Sequence, residues 1–169
     1  MRISQRMTAP EAPTSIIDPH TEDTWVGYVI ADRYVLETIV GEGGMGRVYL
    51  AHHKIIGKPL AVKILHPELA KDKEAVGRFV REAKAASSVG NPHIVDISDF
   101  GELDDGSTYF VMEYLDGETL ADLLERQGQL NETLIYDLLL QLCDGLAAAH
   151  AQQIVHRDLK PENITLIKQ

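Results

Sequence analysis

Cysteine is almost absent from this chain, Cys143 being the only one in 169 residues. One thiol excludes a disulfide framework and makes a reducing cytoplasm the expected compartment. Positive charge is also in short supply. Sixteen Lys and Arg stand against twenty-six Asp and Glu, a net charge of −10, which argues against general affinity for nucleic acid or an anionic membrane. No run approaches the ~20 apolar residues of a membrane span, and no apolar stretch follows Arg2 and Arg6 as a signal peptide requires. Internal repeats and low-complexity tracts are missing. His52, His53, His66 and His150 have no partners at a familiar metal spacing and read as structural or surface residues. What is present, 44% hydrophobic and 25% charged residues, describes a soluble globular chain long enough for one domain, or for a small lobe plus part of another.

Pro10, Pro13 and Pro19 among Ser, Thr and acidic residues mark residues 1–24 as a flexible leader. From Tyr34 the pattern turns β-prone. Strands are predicted over 34–40, 47–52 and 60–65, with a glycine cluster after the first and a turn at Gly57-Lys58-Pro59 after the second. Residues 72–88, rich in Lys, Glu, Ala and Arg, predict a helix that Gly90-Asn91-Pro92 ends. Two further strands, 94–100 and 107–113, flank an Asp104-Asp105-Gly106 turn. Beyond Gly117 the chain turns helical, first over 119–127 and then from an Asn131 N-cap to about Gln152. On that second helix Leu134, Ile135, Leu138, Leu139, Leu142, Leu146 and Ala149 fall within an arc of about 140°.

Three stretches carry chemistry. Gly41, Gly43, Gly46 and Val48 fit G-x-G-x-x-G-x-V, where missing side chains let backbone N–H groups approach phosphate oxygens. Dinucleotide-binding folds share this spacing, but theirs opens into a helix. Here Val48-Tyr49-Leu50 continues as strand, which favours a hairpin. Lys63, in Ala61-Val62-Lys63, follows fifteen residues after Val48 on a strand bounded by apolar residues. The third stretch, His156-Arg157-Asp158-Leu159-Lys160-Pro161-Glu162-Asn163, sets a carboxylate, an ammonium and an amide close together. These are an acceptor to orient a hydroxyl, a cation for a transferring phosphate and a ligand for a metal.

Taken in order, the three resemble eukaryotic-type (Hanks-type) bacterial serine/threonine protein kinases over residues 28–169. The resemblance implies an α+β, protein-kinase-like fold: an antiparallel five-stranded small lobe with one helix, a linker over 113–117, and the first helices and catalytic loop of a helical lobe. It implies ATP and Mg²⁺ as cofactors and serine or threonine hydroxyls on proteins as acceptors, with no nucleic-acid partner. Gly41, Glu42, Gly43, Gly44, Met45 and Gly46 would then cover the phosphates, with Val48 and Ala61 above the adenine. Lys63 would pair with the phosphates and with a helix glutamate, Glu82 rather than Glu74. Met112 would guard the back of the pocket. Backbone groups of Glu113 and Leu115 would meet the adenine edge, Asp122 the ribose, and Thr165 would form the floor, where the family usually carries a larger apolar side chain. Asp158 would orient the acceptor hydroxyl and take its proton, Lys160 would support the γ-phosphate, and Asn163 would bind magnesium.

The family's Asp-Phe-Gly and activation segment do not follow Asn163 in this sequence. The expectation is therefore a chain weak or inactive alone, with its long helix loosely held and able to dock a partner or a second copy. A catalytically dead, kinase-like binding module is the alternative.

Overall fold

The computed structural model describes residues 2–5 and 25–168. In chain order these form β1 (Arg2–Gln5), β2 (Val29–Ile30), β3 (Tyr34–Glu42), β4 (Gly46–His53), β5 (Pro59–Leu65), α1 (Lys73–Val89), β6 (Ile97–Glu102), β7 (Thr108–Glu113), β8 (Gly117–Thr119), α2 (Leu120–Gln127), α3 (Glu132–Ala151) and β9 (Thr165–Lys168). Two sheets result. The larger is antiparallel, in the order β2-β3-β4-β5-β7-β6, and the smaller runs β1-β9-β8.

The larger sheet has one strand more than the five expected. Ala31 and Asp32 hold φ of +50° and +59°, and the Arg33 N–H donates to Ile30 O. The chain thus doubles back to pair Val29 with Val35 and Ile30 with Tyr34. Such turns usually advertise themselves with glycine or asparagine. Ala-Asp does not, and the short strand was invisible in the sequence. The two strands β8 and β9, in a region read as helical apart from its loop, form a second departure. A third lies in the leader: Arg2–Gln5 forms β1, parallel to β9, while residues 6–24 of that expected leader lie outside the described residues.

Alternation along the strands divides the apolar side chains between the two faces of the larger sheet. One face gathers Leu36, Tyr49, Leu60, Val62, Ile64, Tyr109 and Val111 into one core. The other presents Leu65 and Phe110 to Phe79 and Ala83 of α1. α1 starts where Asp72 accepts from the N–H groups of Glu74 and Ala75, and it stops where Gly90 adopts φ +60°, a left-handed conformation that glycine tolerates without strain. Ala75, Phe79 and Ala83, four residues apart, are its buried stripe. Phe79 meets Phe110 with ring centroids 4.8 Å apart.

α2 and α3 share a smaller core with β9, in which Leu123, Leu138, Leu142, Ile164 and Leu166 are buried. The broad apolar arc expected on α3 splits. Leu138, Leu142 and Ala149 are buried, whereas Ile135 and Leu139 are exposed beside Tyr136 and Leu140. Among the described residues α3 is also the one helix long and apolar enough, by length and composition, to cross a membrane, although it holds no unbroken run of ~20 apolar residues. Asp137 and Asp144 interrupt it, and its buried stripe packs on α2 and β9.

Two glycines in this framework respond oppositely to a methyl group. A Cβ at Gly117 would lie 2.0 Å from the Leu166 carbonyl oxygen, whereas one at Gly77, within α1, would meet nothing nearer than Arg81 at 3.6 Å. Gly77→Ala is therefore expected to raise stability by about 0.5–1 kcal/mol, and Gly117→Ala to lower it by forcing β8 off β9. Urea melts of both variants check this. An unchanged midpoint for Gly117→Ala would contradict the close strand contact.

Candidate active site

Strand register assembles one side of the site. Val48 pairs with Lys63 and Leu50 with Ala61 across β4 and β5. Ala61 and Lys63 in turn pair with Met112 and Phe110 of β7. Cross-strand partners share a face, so Val48, Ala61, Lys63 and Met112 lie together on the face that also receives α1. The glycine cluster is the β3–β4 turn beside them, where Gly41 pairs with Val48 and Glu42 with Arg47. The Arg47 Nε donates to Glu42 Oε1 at 2.9 Å. Gly46 packs tightly, since a Cβ there would sit 2.1 Å from the Ile64 carbonyl oxygen.

Lys63 leans over Phe79 and Phe110, its Nζ 5.8 and 5.6 Å from the ring centroids, and its ammonium meets Glu82 Oε1 at 2.7 Å. Of the two helix glutamates weighed from sequence, Glu82 is the one that reaches it. Glu82 directly precedes Ala83 of the buried stripe, so helix phase carries it to the sheet. Lys63 is only 20% exposed, and part of its solvation is replaced by that carboxylate and the two ring faces.

At the end of β7, the Glu113 N–H donates to Asp96 O and the Glu113 carboxylate accepts from Asp96 N–H, both at 3.1 Å. Leu115 lies in the short connection before β8. Asp122 makes a local contact with Thr119. Its Oδ2 accepts from the Thr119 N–H and hydroxyl, at 3.2 and 2.6 Å, while its own N–H donates to Thr119 Oγ1. This capping box starts α2.

The loop after α3 is tightly organised. Arg157 holds φ +62°, a conformation that strains a residue bearing a Cβ, and Asp158 follows with its N–H donated to His156 O. Lys160 Nζ reaches Asp158 Oδ2 at 3.1 Å. The Asn163 amide donates to the same oxygen at 3.0 Å and to the Asp158 carbonyl at 2.8 Å. Asp158, Lys160 and Asn163 thus form one cluster, and the amide oxygen of Asn163 is turned away from the carboxylate. The hydrogen bonds from Lys160 and then Asn163 hold the Asp158 carboxyl below its usual pKa, because both favour the charged form. Loss of solvent around part of the ring lowers His156. Thr165 opens β9 opposite Thr119, between Ile164 and Leu166 of the lower core, so alternation turns its side chain to the other face of the strand.

Sequence reasoning missed a contact at His66. Read as structural or surface, it donates from Nε2 to Gly43 O at 2.9 Å. A second contact joins the small lobe to α3. Asn91 Nδ2 donates to Asp144 Oδ2, and Gln152 Nε2 donates to Ser88 O, both at 2.9 Å. Neither has a spacing signal, because its partners lie far apart in the chain.

This arrangement has known counterparts. Residues 34–169 match the protein kinase domain model. The chain belongs to the protein kinase domain family. It is 42% identical over 142 residues to the serine/threonine-protein kinase pkn3 of Myxococcus xanthus, a match covering 84% of this chain and 26% of that protein. With the serine/threonine-protein kinase PrkC of Bacillus subtilis it shares 43% over 141 residues, 83% of this chain and 22% of the relative. The chain thus spans about a quarter of these curated relatives' length. Among solved structures, the Mycobacterium tuberculosis PknI kinase domain superposes with a TM-score of 0.68 at 30% identity, covering 85% of this chain and 60% of that one. The protein-kinase-like fold and the bacterial serine/threonine kinase relationship follow.

The Asp158 cluster makes a pH prediction. Its folded pKa is depressed, so the stabilisation it gives the loop is present above the unfolded value of ~3.9 and disappears as pH falls through the folded pKa. The Asp158 carboxyl carbon, followed by NMR, should titrate below that value, and Asn163→Ala should move its midpoint upward. A midpoint unaffected by this substitution would show that the amide does not hold the charge.

Proposed function

We propose that this kinase-family chain carries the nucleotide-binding lobe and catalytic loop of a serine/threonine protein kinase. The intact protein transfers the γ-phosphoryl group of ATP to a serine or threonine hydroxyl of a protein substrate. The observation that carries this reading is the coincidence of the Lys63–Glu82 pair at 2.7 Å with the Asp158–Lys160–Asn163 cluster. In this mechanism the backbone of residues 41–46 lies over the phosphates, and Lys63, oriented by Glu82, draws them into register. Val48, Ala61, Met112 and Thr165 enclose the adenine, while backbone groups of Glu113 and Leu115 meet its edge. Asp122 stands near the ribose at the start of α2.

Asp158 accepts the proton of the attacking hydroxyl as the hydroxyl oxygen bonds to the γ-phosphorus. The bond from that phosphorus to the bridging oxygen breaks, ADP leaves, and Lys160 stabilises charge on the moving group. The Asn163 amide oxygen is a hard donor of the kind that would help hold Mg²⁺. The chemistry it would supply there is charge screening on the phosphates. The lone Cys143 accords with a cytoplasmic setting for this reaction. A second reading, a kinase-like docking module, draws on the exposed Tyr136, Leu139 and Leu140 of α3.

ATP binding is the first readout, since transfer draws on segments that the relatives carry beyond the span matched here. The chain should bind a fluorescent ATP analogue with Mg²⁺, and Lys63→Met should weaken that binding at least tenfold. In the intact kinase, label from γ-labelled ATP should appear on serine or threonine, and Asp158→Asn should slow transfer by ~10²- to 10⁴-fold. Equal binding by Lys63→Met, or label confined to tyrosine, would overturn the proposal.

A further inference from the structure

The tip of the glycine turn has few side chains to hold it. A Cβ placed at Gly43 or Gly44 would meet nothing within 4 Å, so the segment carries the high conformational entropy of glycine with little packing to offset it. Backbone bonds between Gly43 and Gly46 close the turn, one at 3.0 Å and its return at a longer 3.3 Å, the latter ending on Gly43 O. The same oxygen accepts the His66 Nε2 at 2.9 Å, and the His66 N–H donates to Met45 O at 3.0 Å. His66 therefore grips the tip at two points. Any residue but proline could supply the backbone contact, whereas the ring contact is particular to this side chain.

The grip is itself braced. His66 directly follows Leu65, the last residue of β5, the strand that carries Lys63. Pro67 comes next, and a residue before proline is confined to extended backbone, as φ −56° and ψ 135° at His66 show. The ring is thereby aimed at the turn by a stiff strand end. The neutral imidazole protonated on Nε2 and the imidazolium both donate from that nitrogen, so the contact survives protonation.

We propose that His66 is a positioning residue. It clamps the glycine turn to the strand bearing Lys63 and pre-orders the backbone that covers the nucleotide phosphates, lowering the ordering cost of binding. This rests on the reading of residues 41–46 as the phosphate cover.

The experiment is hydrogen exchange, read by mass spectrometry on the full 169-residue chain without nucleotide, for wild type, His66→Phe and His66→Gln. Phenylalanine keeps the ring and loses the donor, while glutamine restores an N–H of similar reach. Exchange within 41–46 should quicken in His66→Phe with 108–113 unchanged, and glutamine should reverse much of the effect. The Kd for a fluorescent ATP analogue with Mg²⁺ should rise about three- to tenfold in His66→Phe, the range for one net hydrogen bond. Wild-type exchange in His66→Phe, or glutamine behaving as phenylalanine does, would overturn the clamp. The two readings fail separately. A wild-type chain that binds no nucleotide, yet whose turn loosens in His66→Phe, sinks the phosphate-cover reading and supports the clamp. Lys63-dependent binding with an unresponsive turn keeps the site and overturns the clamp.

Discussion

The ammonium of Lys63 has to satisfy several neighbours at once. It projects from an interior strand of a sheet, passes over two phenyl rings and meets one carboxylate on α1. The near face of the small lobe is built around that geometry. Phe79 and Ala83 seat the helix on Phe110 and Leu65, Asp72 and Gly90 fix where it begins and ends, and the register of β4, β5 and β7 brings Val48, Ala61 and Met112 to the same face. A slip of β5 by one residue against its neighbours would send Lys63 to the opposite core. Truncating Phe79, at a typical ~3–5 kcal/mol for a buried phenylalanine, would remove the helix's main anchor and the ring beneath the ammonium together.

The catalytic loop is ordered by a different device. Its side chains are held by one another: a carboxylate that takes both an ammonium and an amide, on a backbone bent through a left-handed arginine. The loop joins α3 to β9, and both of these belong to the lower core with α2. The two halves of the site are thus built on separate cores. Contacts such as Asn91 to Asp144 and Gln152 to Ser88 bridge them, tying the end of α1 to α3. Since Glu82 rides on α1, these bridges help set where it stands relative to Asp158.

Much of this was legible in the sequence because local chemistry marked it. The caps Asp72, Thr119 and Asn131 and the terminating Gly90 and Gly128 bound the helices within a residue or so of where sequence patterns put them. Glycine and a resumed β-prone run announced the hairpin at 41–48. What escaped lacked such a marker. The β2–β3 turn begins at Ala31, which does not signal a left-handed conformation. The pairing of β8 and β9 joins short segments about fifty residues apart, and no local pattern encodes a partner at that distance. The capping box between Thr119 and Asp122 joins residues three apart, a spacing that is local enough to read but is masked by the linker just before it. His66 was passed over because a lone histidine is judged by metal spacing, and its partner is a backbone carbonyl with no signature.

The larger sheet has a distinct core on each side, one facing α1 and the site and one facing away. The far core, built from Leu36, Tyr49, Val62, Ile64 and Val111, shares strands with the site but not side chains. Drift in its residues can therefore be absorbed by repacking among themselves while the opposite face keeps its lysine, its glycines and its apolar lining. Such a division lets a lineage adjust thermal tolerance through one layer of the lobe and leave its chemistry to the other, so that ancestry should be recorded faster on the far side than on the near one.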